Sequence, residues 1–386
     1  MKDLFINKNN DFINMEVSSK KIDPFDPFDN PTEKHYYNDS YTEIVPELLH
    51  EDYKMKNIPT SEEKKRIRHF YNVAGFGLLI HLGLTFILSQ AFYYVITFII
   101  MFVNNMGFSD MTKENNNLIL HYINTSSISP AITILTYLTA NLIVFFYGSK
   151  IVGIKPESLF KVSNCKLRNI ISYIFIAIFI QFSIGLIISL IQQITPDIDI
   201  LGSSASFSTY YSTKYAALTI IYTCVVAPVT EELLYRGFVQ KAFSKVSQRF
   251  GIVMSALFFG LGHGNIAQFA LAFLLGIFLG YISVKHNSII PSMIVHAAVN
   301  ILSTVITVKD NYFYENVILD HIADVSIIIL SVVGLFMLII FCKNNVFPKS
   351  KISQQYRCGN IALKSIGTVL ALIVFVSITF YISFLY

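Results

Sequence analysis

Residues 266–285 read IAQFALAFLLGIFLGYISVK, and residues 289–308 read IIPSMIVHAAVNILSTVITV. Each stretch is about 30 Å long as a helix, the thickness of a bilayer's hydrocarbon core. Inside lipid every backbone N–H and C=O must be bonded within the segment, so stretches of this kind cross as helices. Only His286, Asn287 and Ser288 separate the two, so they pack as antiparallel neighbours. Working outward, similar blocks fall at 74–103, 128–147, 170–192, 214–234, 251–263, 321–342 and 365–386. The reading is an all-α, polytopic transmembrane helical bundle of about 8–9 spans, the block at 251–263 being short for a crossing.

Composition points the same way. Of 386 residues, 53% are hydrophobic and only 14% charged, against about 25% charged in soluble domains. There is too little polar surface to clothe a soluble globule of this size, and the bilayer is the implied partner. The net charge of +4 is modest, and its basic residues sit in short loops with no basic aromatic groove, so no nucleic-acid partner is expected. Cys165, Cys224, Cys342 and Cys358 show no paired spacing and read as free thiols.

The loop charges set an orientation. Lys64, Lys65, Arg66 and Arg68 precede the first span, and the 148–169, 235–250 and 343–364 segments are basic. The 104–127 loop has only Lys113, and 193–213 carries Asp197 and Asp199 with no arginine. This alternation predicts a cytoplasmic N-terminus. Residues 1–70, with the proline-rich run around 24–31, read as a largely disordered cytoplasmic tail without an apolar leader. The implied organisation is a tail at 1–70, spans over 71–200, a chemical core at 210–305 and further spans over 306–386.

Ionisable groups inside apolar spans cost about 2.5–3.5 kcal/mol on insertion scales, and they mark cavities or partners. In the fourth block Glu232 and Arg236 stand four apart and can pair on one helical face, while Glu231 is rotated about 100° away. Phe259 and His263 share the same spacing, as do His296 and Asn300. Taken singly, these are an interfacial ion pair, a structural histidine and an interhelical hydrogen-bonding pair. Taken together, they supply a carboxylate base, two imidazoles and an amide donor, the groups needed to activate water and stabilise an oxyanion.

The ordered set Glu-Glu-x-x-x-Arg, Phe-x-x-x-His and His-x-x-x-Asn, spanning about 210–305, resembles the CAAX protease and bacteriocin-processing (CPBP, or Abi) family. That family includes the type II CAAX prenyl endopeptidases. The resemblance implies an intramembrane endopeptidase acting on a peptide or protein substrate at the membrane. It implies Glu231 as the base that activates water, with His263 helping to hold that water. His296 and Asn300 become oxyanion donors, Glu232 and Arg236 a supporting pair, and Phe259 part of the same shell. A metal-independent glutamate site with no cofactor is the preferred reading. The alternative is zinc held by Glu231, His263 and His296 with water in the fourth position. The competing function is a non-catalytic scaffold or bacteriocin self-immunity protein of the same fold. The chain's abundant asparagine, lysine and isoleucine point to a bacterial cell membrane.

These span boundaries carry one conflict. They put Glu231 near the cytoplasmic end of its helix, whereas His263 falls about 24 Å from the basic 235–250 segment on a straight helix.

Overall fold

The computed structural model describes residues 61–107, 112–161, 165–194, 216–312, 317–345 and 357–384. The tail through residue 60 and most of the 193–213 loop, with the expectations attached to them, lie outside these residues. Among the described residues every regular element is helical. The helices are α1 (Ser61–Val103), α2 (Lys113–Thr125), α3 (Ile128–Val152), α4 (Leu167–Ile194) and α5 (Ala216–Phe243). After them come α6 (Gln248–Leu261), α7 (Ile266–Lys285), α8 (Ile290–Tyr312), α9 (Val317–Asn344), α10 (Cys358–Leu363) and α11 (Ile366–Phe384).

Eight of these, all but α2, α6 and α10, are long and apolar enough to cross a membrane. Their outer faces expose large apolar side chains such as Phe86 and Phe102 on α1 and Ile318 and Phe336 on α9. Contiguous exposure on this scale fits lipid and not water. All four cysteines are free, as expected.

Three boundaries differ from the sequence reading. The helix α1 begins at Ser61 and not near residue 74, so Lys64, Lys65, Arg66 and Arg68 lie on its first turns and not in the tail. Its 43 residues outrun a bilayer core of about 30 Å. The 251–263 block forms the 14-residue α6, only about 21 Å long, leaving eight candidate spans. The third difference carries the most weight. The helix α5 continues past residue 234 to Phe243. Hydropathy ends it early because Arg236 and Lys241 follow, yet both are fully buried. Arg236 pairs with Glu232, and Lys241 Nζ donates to Ser158 Oγ at 3.3 Å.

Within α5 the turns at Tyr222–Val226 and Leu233–Val239 widen to π-helix. Pro228 explains the first. It lacks an N–H, and its ring would collide with the carbonyl four residues back at Cys224. A wide turn there accommodates both.

The bundle packs around α5. One apolar core joins α1, α3, α5, α6 and α11 through residues such as Tyr71, Phe145, Phe238, Phe258 and Phe375. A second joins α4, α7 and α8 through Tyr173, Ile176, Leu279 and Val299. Where α1 meets α11, Gly75 faces Gly367 so closely that a Cβ on Gly75 would lie 2.2 Å from the Gly367 carbonyl carbon. Backbone cannot yield there as a flexible side chain can. Gly75→Ala should therefore destabilise the protein by about 1–3 kcal/mol through overpacking, read as a lower melting temperature in detergent. Gly83→Ala on the same helix is the control. Nothing lies within 4 Å of its added Cβ, so it should match or slightly exceed the parent.

Candidate functional site

The extent of α5 resolves the conflict in depth. Glu231 lies twelve residues before Phe243, the last residue of α5, or about 18 Å. The chain turns at 244–247, and α6 carries it about 20 Å back from Gln248 to Leu261, two residues before His263. The two groups therefore come to similar depth within the bundle. They line one cavity of about 510 Å³ with Phe259, His296 and Asn300.

The adjacent glutamates have different surroundings. The Glu231 side chain is 22% exposed, into the cavity, and that of Glu232 is 0% exposed behind it. Glu232 Oε1 sits 2.9 Å from Arg236 Nη1 and accepts from His296 Nδ1 at 3.1 Å. With Nδ1 directed at Glu232, His296 turns Nε2 toward Glu231, 3.8 Å from Oε2. That separation is too long for a direct hydrogen bond. The Arg236 guanidinium lies over the Phe259 ring at 4.5 Å, and its Nη2 donates to Gly276 O at 3.4 Å. Phe259 in turn meets the His263 ring edge-on at 5.4 Å and the His296 ring at 5.6 Å. It spaces the two histidines as well as covering the arginine.

His263 does not stand on a helical face, as the i, i+4 pattern implies. The helix α6 ends at Leu261, and His263 occupies the turn beyond it. Gly264 follows at φ +75°, a conformation that stops the helix and suits glycine. Asn265 then caps α7, its Oδ1 accepting from Gln268 N at 2.8 Å. The last helix fastens this turn, with Ile266 N donating to Ser383 Oγ at 3.0 Å and Thr379 Oγ1 to Leu261 O at 3.4 Å. Asn300 Nδ2 donates to Thr223 O at 2.9 Å, inside the first wide turn of α5. One of its two amide protons is thereby used and the other remains available.

All seven residues singled out in the sequence thus come together. Among the described residues, no three His, Cys, Asp or Glu side chains are grouped as a metal ion requires. The zinc set of Glu231, His263 and His296 is therefore not a preformed ligand cluster.

The cavity also takes residues that the motif reading missed. His81 of α1 and Asn141 of α3 line it, along with Tyr137 and Tyr222. His81 Nε2 lies 2.7 Å from Asn141 Oδ1, and Asn141 Nδ2 donates to Thr230 Oγ1 at 2.9 Å, next to Glu231 in the chain. The signal is present for His81, an ionisable group inside an apolar span like Glu231, and weaker for the uncharged Asn141.

Residues 213–302 match the family described as type II CAAX prenyl endopeptidase Rce1-like. The matched segment includes all seven residues. No curated protein and no solved structure matches the chain. The eight apolar helices are those of an integral membrane protein, and the matched segment covers 90 of the 386 residues.

Proposed function

We propose that the protein hydrolyses peptide bonds of a membrane-inserted segment or peptide precursor in this cavity, with Glu231 as the base. The observation that carries the reading is the unequal pair of glutamates. Glu232 is enclosed by Arg236 and His296, while Glu231 faces a space that His263, His296 and Asn300 also line. A cavity of about 510 Å³ falls within the ~300–1,000 Å³ range of ligand pockets and has room for a few residues of extended peptide.

In the reaction, Glu231 takes a proton from a water held also by His263. The hydroxide attacks the scissile carbonyl, and the developing oxyanion receives hydrogen bonds from Asn300 Nδ2 and His296 Nε2. Glu231 then returns the proton to the leaving amine as the C–N bond breaks, giving a carboxylic acid and an amine as products. No step uses a metal.

We read the setting as a bacterial cell membrane with the N-terminus cytoplasmic, and the client as a secreted-peptide precursor or another membrane protein. Comparative proteomics of membranes carrying wild-type or Glu231→Ala protein tests this: a client should accumulate uncleaved in the variant. Asn300→Ala should lower turnover about 10²–10³-fold, as loss of one oxyanion donor does, in a cleavage assay at matched protein levels. A chelator should leave activity unchanged in the same assay. Loss of activity that added zinc restores would instead support the zinc alternative.

A further inference from the structure

A second cavity, of about 690 Å³, opens where the first turns of α4, the last residue of α7 and the last turns of α9 meet. It shares no lining residue with the candidate active site. Its mouth is polar, formed by Arg168, Asn169, Ser172, Lys285, Asn344 and Asn345. Deeper along the same helices the wall becomes apolar, with Ile171, Ile176, Met337 and Ile340. Ile171 and Ile340 are themselves 46% and 40% exposed, so this wall opens sideways on the face that lipid would occupy.

The charge at the mouth is one-signed. Among the described residues no acidic side chain lines the cavity. Lys285 is half-buried, its Nζ donating to Asn345 Oδ1 at 2.5 Å and lying 5.1 Å and 5.7 Å from the Phe341 and Tyr173 ring centroids. An amide and two rings offset part of its charge, but among the described residues no carboxylate pairs with it or with Arg168. The flanking sequences, 161–168 and 343–357, carry three and four basic residues and no acidic one. A partly desolvated cation without a counter-charge favours an anion from outside the chain.

We propose that this cavity binds an anionic phospholipid. Its phosphate lies between Lys285 and Arg168, and an acyl chain runs along Ile171, Ile176 and Ile340. The apolar lower half selects a lipid over free phosphate, which would leave that wall unused. The occupant would tie α4, α7 and α9 together at their basic ends, and α7 carries Ala272 and Leu275 into the candidate active site.

The test uses the full chain in a non-ionic detergent and native mass spectrometry. Phosphatidylglycerol and phosphatidylcholine with identical acyl chains are compared, and inorganic phosphate is added as competitor. Two cations near a lipid surface predict about a ten- to thirtyfold preference for phosphatidylglycerol. The preference should fall severalfold in Arg168→Gln and disappear in Arg168→Gln/Lys285→Gln. Arg168 is exposed, so the single variant keeps the test valid if Lys285→Gln misfolds. Equal binding of the two lipids would overturn the proposal, as would an undiminished preference in folded Arg168→Gln protein. Displacement of phosphatidylglycerol by equimolar phosphate would make this a free-anion site and equally overturn it. None of these readouts depends on peptidase activity.

Discussion

Glu232→Gln should cost the protein about 3–5 kcal/mol, the usual result of removing one partner from a buried ion pair. Glu232 is the hinge of a three-part contact, with Arg236 at 2.9 Å and His296 at 3.1 Å. Neutralising it leaves the fully buried Arg236 with the Phe259 face and one long bond to Gly276 O. Arg236→Gln should be milder, because Glu232 keeps His296 as a partner. The measurements are abundance in the membrane and melting temperature after purification. The double variant Glu232→Gln/Arg236→Met separates support from chemistry. Removing both charges should recover part of the lost stability, since Arg236→Met takes away the uncompensated buried cation that Glu232→Gln leaves. Activity should not return, because His296 Nδ1 has lost the carboxylate that orients it. A Glu232→Gln protein as stable and active as the parent would rule out this supporting role.

Glu231→Gln should behave in the opposite way, with folding nearly intact and turnover reduced by about 10²–10⁴-fold, the range expected for loss of a general base. Among the described residues the nearest cationic partner of Glu231 is His296 Nε2 at 3.8 Å, and its side chain faces the cavity. An isosteric amide therefore disturbs little packing. His263→Ala should match it within an order of magnitude if both hold the same water. Equal melting temperatures with unequal turnover locate the defect in chemistry, provided that rates are compared at matched protein concentration.

The all-helical membrane bundle was legible from composition and apolar block length alone, because a bilayer admits few alternatives. Six of the seven candidate residues stand out in the sequence because polar groups inside apolar stretches are costly and so conspicuous, and Phe259 joins them by its i, i+4 spacing to His263. What escaped was depth. Arg236 and Lys241 look like the end of a span, yet here they are buried by partners distant in sequence, Ser158 among them. A hydropathy window cannot register that compensation. The widened turns of α5 and the glycine-ended α6 also broke the assumption of regular helices, which is why His263 was placed on a helix face and not in the turn after it. His81 and Asn141 acquire meaning only once α1 packs on α3, where His81 meets Asn141 and Asn141 meets Thr230. The role of α11 in fastening the His263 turn rests on two hydroxyls, Thr379 and Ser383, that no local pattern marks.

The central claim is that a peptide bond is broken by water at Glu231. It is tested most directly by co-purifying clients with Glu231→Gln protein in lipid vesicles and adding wild-type enzyme to the captured material. The new N-termini that appear are then sequenced. The account predicts that a client bound by the variant stays intact, and that wild-type protein converts it to two fragments with a single new N-terminus in or beside a membrane-inserted segment. Cleavage of the same client by the Glu231→Gln protein at the wild-type rate would contradict the account. So would a captured client that wild-type protein binds and never cuts, the behaviour of a non-catalytic scaffold.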